Sequence, residues 1–121
     1  MAGRTNDPID SWDKAVAFAL TLPDTELSTS YGKPAVKTNG RAFLFTGHEQ
    51  ANSFGVAIDL DTVEMLKETD PASFWQSPHY EGWPAVLIRF DSPDPERVHA
   101  IILRSRDWTA AKPRPKPRKK V

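Results

Sequence analysis

The stretch KPAVKTNGRAFLF, residues 33–45, decides the fold. Two short apolar runs flank Asn39-Gly40, a pair that tolerates positive φ at both central positions of a type I′ turn. A β-hairpin is therefore expected, with Lys37 and Arg41 straddling its tip. Outward from it, NSFGVAID (52–59) supplies a third strand with Phe54, Val56 and Ile58 on one face. In SPHYEGWPAVLIRF (77–90), Val86, Ile88 and Phe90 share a face while Leu87 and Arg89 point the other way. A strand pair around Glu81-Gly82 is expected there, with His79 and Tyr80 on its first arm.

Helical patterns bracket these strands. NDPIDSWDKAVAFALTLP (6–23) carries Ile9, Trp12, Ala15, Val16 and Ala19 or Leu20 on one stripe. Asp7 is its expected cap, Pro8 suits the first turn, and Pro23 ends it. LDTVEMLKE (60–68) reads as a helix capped by Asp61, with Glu64 completing a capping box. DPASFW (70–75) reads as a further helical turn, and Ser28, Thr29 and Ser30 as a polar loop. In SPDPERVHAIILRSRDW (92–108), Asp94 caps a last helix whose stripe is Val98, Ile101, Ile102, Ser105 and Trp108. The expected fold class is thus α+β, in two layers. A mostly antiparallel five-stranded sheet carries helices on one face, in the order α-β3-α-β2-α.

The 121 residues carry a formal net charge of zero, which conceals an asymmetry. Residues 1–111 hold ten basic against sixteen acidic residues, a net charge of −6. The close, AKPRPKPRKKV, holds Lys112, Arg114, Lys116, Arg118, Lys119 and Lys120 and no acid. The expected division is a single domain over 1–111 and a basic, proline-rich, disordered tail over 112–121, since alternating prolines deny it a helix. With no cysteine, disulfides and thiolate zinc sites are excluded. No apolar stretch approaches the roughly 20 residues of a membrane span. A cytoplasmic monomer without membrane association is expected.

Three groups of residues are candidates for function. The tail cations suit phosphates, giving affinity without sequence readout; an acidic protein, the chain's own acidic body, or mere solubility are the other readings. Lys33, Lys37 and Arg41 near the first hairpin are secondary phosphate contacts, or simply the solvent side of a turn. Tyr31, His79, Tyr80, Trp83 and Arg89 are candidates for a ligand pocket, or simply a packed strand turn. His48, His79 and His99 share no ligand spacing, and Asp59, Asp61 and Glu64 lack the glycine and length of a calcium loop. No metal, cofactor or catalytic residue is expected.

At SYGKPAVKTNGRAFLF (30–45) and SPHYEGWPAVLIRF (77–90) the chain resembles the MmcQ/YjbR family of small bacterial proteins. The likeness spans about residues 9–110. It implies the same two-layer fold and DNA binding between two hairpin wings. Those would be the hairpin at Asn39-Gly40 and the turn at Glu81-Gly82. The expected function is weak, sequence-nonspecific, non-enzymatic nucleic-acid binding. The alternative is a small-ligand or protein-binding module at His79–Trp83, with the tail incidental.

Overall fold

The computed structural model describes residues 8–30, 32–46 and 52–113. Its elements are α1 (Trp12–Ala19), β1 (Thr25–Ser30), β2 (Lys33–Thr38), β3 (Arg41–Thr46), β4 (Ser53–Ala57), α2 (Leu60–Thr69), β5 (Phe74–Trp75), β6 (Ala85–Arg89) and α3 (Pro95–Ala110). The sheet is antiparallel throughout, in the order β1-β2-β3-β4-β6-β5. It therefore has six strands among the described residues, where the sequence reading expected five.

The added strand is TELSTS, whose second half, residues 28–30, reads as a polar loop in the sequence. It pairs with β2 along its whole length, from Thr25↔Thr38 to Ser30↔Lys33. Its one apolar side chain, Leu27, is 57% exposed. An edge strand with polar residues on both faces has no hydrophobic alternation to reveal it, and its partner supplies the stability. DPASFW also departs from expectation: its turn delivers Phe74 and Trp75 into β5, beside Ile88 and Leu87. No strand pair forms at Glu81-Gly82. Residues 77–84 are a chain of tight turns, closed by Tyr80 N–H to Ser77 O at 2.9 Å and Trp83 N–H to Tyr80 O at 2.8 Å.

The first hairpin is built as the sequence dictates, with Asn39 at φ 54° and Gly40 at φ 78°. The register shifts between Val36↔Leu44 and Lys37↔Ala42, leaving Phe43 without a partner on β2. This bulge lets consecutive residues Phe43 and Leu44 both enter the core, which strict alternation forbids.

All three helices cover one face of the sheet. Val36, Leu44, Val56, Val86 and Ile88 meet Ala15, Val63, Leu66, Val98 and Ile102 there, all essentially sealed from water. Helix caps are shifted where two candidates stand close together. Ser11, not Asp7, caps α1, accepting from Lys14 N–H. Asp59, not Asp61, caps α2, because it reaches both the amide and the hydroxyl of Thr62. Asp94 caps α3 as expected, accepting from Arg97 N–H. On α3, Thr109 rather than Trp108 completes the buried stripe, since eleven residues from Val98 bring it back to the same side. Ser105 is sealed in the core and donates to the strand carbonyls of Phe43 and Ala57.

Candidate nucleic-acid interface

Among the described residues the sheet's other face carries no helix. Side chains alternate across a strand, so this face receives Lys33, Ala35 and Lys37 from β2, Phe45 from β3 and Gly55 from β4. From β6 it receives Ala85, Leu87 and Arg89, and from β5 Trp75. The pairings Ala35↔Phe45, Phe45↔Gly55, Gly55↔Leu87 and Leu87↔Trp75 set five of these residues in one transverse row. Phe45, Trp75, Leu87, Ala85 and Tyr80 form a second apolar cluster here, with Phe45 and Trp75 only partly buried.

Two details fix the aromatic planes. A Cβ on Gly55 would clash with the ring of Phe45, so that ring lies close on the bare backbone of β4. The Trp75 indole N–H donates to Ser53 Oγ at 2.9 Å, and the Arg89 guanidinium carbon sits 4.8 Å from the indole centroid. Such an arginine–aromatic stack holds the cation in place while leaving it charged.

The loop 77–84 borders this face and is pinned by a residue the sequence reading passed over. Gln76 shares its two amide N–H groups among the carbonyls of Tyr80, Trp83 and Ala85, at 2.9, 3.0 and 2.7 Å. Its own Oε1 accepts from Lys67 Nζ at 2.8 Å. Only the crowding of three carbonyls in the fold distinguishes this glutamine from any other. Tyr80 is thereby tucked against Phe45, and burial pushes its phenol above the usual range. His79 packs edge-on to Tyr80, and Trp83 stands 55% exposed at the rim.

Of the residues expected to line a pocket at His79–Trp83, Tyr31 lies outside the described residues, Tyr80 is core, and Arg89 belongs to the Trp75 stack. A groove of about 540 Å³ lies elsewhere, between the start of β1, the hairpin tip and the end of α3, lined by Asp24, Glu26, Asn39 and Arg106 among others. Among the described residues, no three His, Asp or Glu side chains gather to hold a metal.

The expected cations divide into two groups. Lys33, Lys37 and Arg89 share the helix-free face. Arg41 turns instead to the end of α3, where its Nε donates to Pro113 O at 3.1 Å. Asn39 Nδ2 donates to Lys112 O at 2.6 Å, and the Lys112 ammonium sits 4.0 Å over the Trp108 ring. The tail thus departs from the tip of the first hairpin. Arg114, Lys116, Arg118, Lys119 and Lys120 lie beyond the described residues.

The strands are net cationic and the helices near neutral. Among the described residues the strands carry four cations, Lys33, Lys37, Arg41 and Arg89, against one acid, Glu26. The helices carry six acids, Asp13, Asp61, Glu64, Glu68, Glu96 and Asp107, all exposed, against five cations, Lys14, Lys67, Arg97, Arg104 and Arg106. The remaining described acids sit in caps, turns and loops.

The sequence pattern of the YjbR family matches residues 20–108, most of the chain. The chain belongs to the YjbR family. The fold of this YjbR domain is similar to the crystal structure of a Deinococcus radiodurans protein with a DUF419 domain. The TM-score is 0.65 and the identity 17%, over 80% of this chain and 76% of that one. At that identity the likeness concerns the fold. No curated protein matches the chain. Nor is any described helix of this YjbR domain long and apolar enough to cross a membrane.

Proposed function

We propose that this YjbR-family protein binds nucleic acid weakly and without sequence preference, through the helix-free sheet face and the basic tail beside it. The observation that carries this reading is the net positive charge of the strands. An acidic total argues against a polyanion partner only if the acids face it. Here the helix acids, nearly balanced by five helix cations, lie on the far side of a layer about 10 Å thick. That exceeds the screening length of about 8 Å at physiological ionic strength. The strands offer this face Lys33, Lys37 and Arg89 against Glu26, with Glu81 on the loop that borders it. The tail root is tied to the hairpin tip, so the tail cations start from a fixed point of the folded body. In this reading residues 1–111 are one domain, and the tail extends the cationic surface outward from it.

The test is fluorescence anisotropy with labelled oligonucleotides over a salt series. The full chain is compared with a variant carrying Arg114→Gln, Lys116→Gln, Arg118→Gln, Lys119→Gln and Lys120→Gln. Affinity of the unaltered chain for duplex should fall steeply with salt. The five substitutions should reduce the slope of log affinity against log salt by about 4 to 5 if all five meet phosphates. Absence of binding by the unaltered chain at low salt sinks the proposal.

A second reading rests on Trp83. A tryptophan held more than half exposed on a loop that Gln76 ties down is a suitable anchor for a protein partner, with the tail incidental. In that case Trp83→Ala would abolish partner capture and leave oligonucleotide affinity unchanged.

A further inference from the structure

We infer that the helix-free face is a stacking platform for single-stranded nucleic acid, so that the folded body discriminates single strands from duplex. This rests on the nucleic-acid reading above and adds to it the form of the ligand. Phosphate contacts alone make no such distinction, because both forms are polyanions. Flat aromatic and guanidinium planes do, because only unpaired bases can be turned out to lie on them.

The geometry on this face is ordered in two parallel rows. Phe45 and Trp75 occupy one transverse row, three strand spacings apart, or about 14 Å. Lys33 lies two residues from Ala35, and Arg89 two residues from Leu87, on the same side of that row. The antiparallel pairing therefore puts the backbones of both in a second row about 7 Å away along the strands, from which the Arg89 guanidinium reaches back over the Trp75 ring. A strand crossing the sheet can lay its backbone toward Lys33 and its bases over the Phe45 ring and the Arg89–Trp75 stack. The Phe45 ring is held by the close approach of Gly55, and Trp75 by Ser53 and Arg89, so both surfaces exist before a ligand arrives. Preformed planes lose little conformational freedom on binding. Charge complementarity selects the occupant, since this face gathers strand cations on a body that is acidic overall.

The test uses the full chain, with a labelled oligothymidine single strand and a mixed-sequence duplex of equal length. Both are measured at low salt and again at about 0.3 M, where tail contacts are weakened. The single strand should bind more tightly than the duplex, and the difference should widen at the higher salt. Phe45→Leu keeps an apolar side chain over Gly55 but removes the π face. It should weaken single-strand binding on the order of tenfold and leave duplex affinity unchanged. Matching thermal melts of the variant and the parent assign that loss to stacking. Equal affinity for the two forms, or a Phe45→Leu variant that loses both or neither, overturns the platform while leaving phosphate binding intact. Binding to neither form overturns the platform together with the nucleic-acid reading.

Discussion

Asn39 Nδ2 donates to the carbonyl of Lys112 at 2.6 Å, joining two residues 73 positions apart in the chain. The bond uses the turn residue twice. Its backbone adopts φ 54° to make the hairpin, and its side chain holds the exit of α3. Glycine at this position keeps the backbone freedom and loses only the tether. Asn39→Gly should leave the hairpin formed while raising hydrogen exchange at the Lys112 amide, which bonds to Thr109 O at 3.1 Å. Unchanged protection there would mean that the Arg41–Pro113 bond alone secures the tail root.

Gly55 is required by its neighbour rather than by its own backbone angles. In Gly55→Ala the new methyl meets the Phe45 ring, which must swing off the sheet. The expected cost is about 1–3 kcal/mol in urea unfolding. Combining it with Phe45→Leu should cost less than the sum of the two single changes, since the shorter side chain leaves the methyl room. Simple additivity would mean that the ring and the glycine are not coupled.

Burial raises the Tyr80 phenol above its ordinary value of about 10. A raised phenol favours the neutral form in the fold. The contribution to stability is complete below about pH 10 and is lost as pH rises through the folded value. Gln76→Ala releases the loop that buries Tyr80 and should bring its titration back toward 10. Ultraviolet titration in a Tyr31→Phe background reads this residue alone, because the chain has two tyrosines.

Asp59 shows the opposite sign. Burial raises its carboxyl, but the hydroxyl and amide of Thr62 and the charge of Arg104 outweigh it, so the net shift is downward. The cap's contribution is full above the ordinary carboxylate value of about 3.9 and is lost as pH falls through the folded one. Asp59→Ala should cost about 1 kcal/mol at neutral pH. In urea melts the gap between variant and parent should narrow in acid. A gap independent of pH would show that the carboxylate's charge does not matter to the cap.

Much of this fold was legible because its signals are local. Asn39-Gly40 specifies its own turn, Asp94-Pro95 its own helix start, and the alternation through Val86 to Phe90 its own strand. The capping of α2 was misread by two residues because Asp59 and Asp61 both suit an N-cap, and only the position of Thr62 chooses between them. The turn at Glu81-Gly82 looked like a hairpin because its flanks are aromatic. In the fold Gln76 draws the carbonyls of Tyr80, Trp83 and Ala85 together and leaves no ladder to form.

The sequence by itself determined the two-layer class, most of the helices and strands, the apolar stripes and the separation of a basic end from an acidic body. These follow from periodicity, capping and composition, which act over a few residues. Tertiary structure alone decided that TELSTS is a strand, since an exposed polar edge takes its shape from β2. It also brought Phe45, Gly55 and Trp75 into one row, set Lys33 and Arg89 beside that row, and tied the tail to the hairpin. Those relationships are made by pairings and side-chain bonds between segments far apart in the chain, and no local pattern encodes which distant residue will lie opposite.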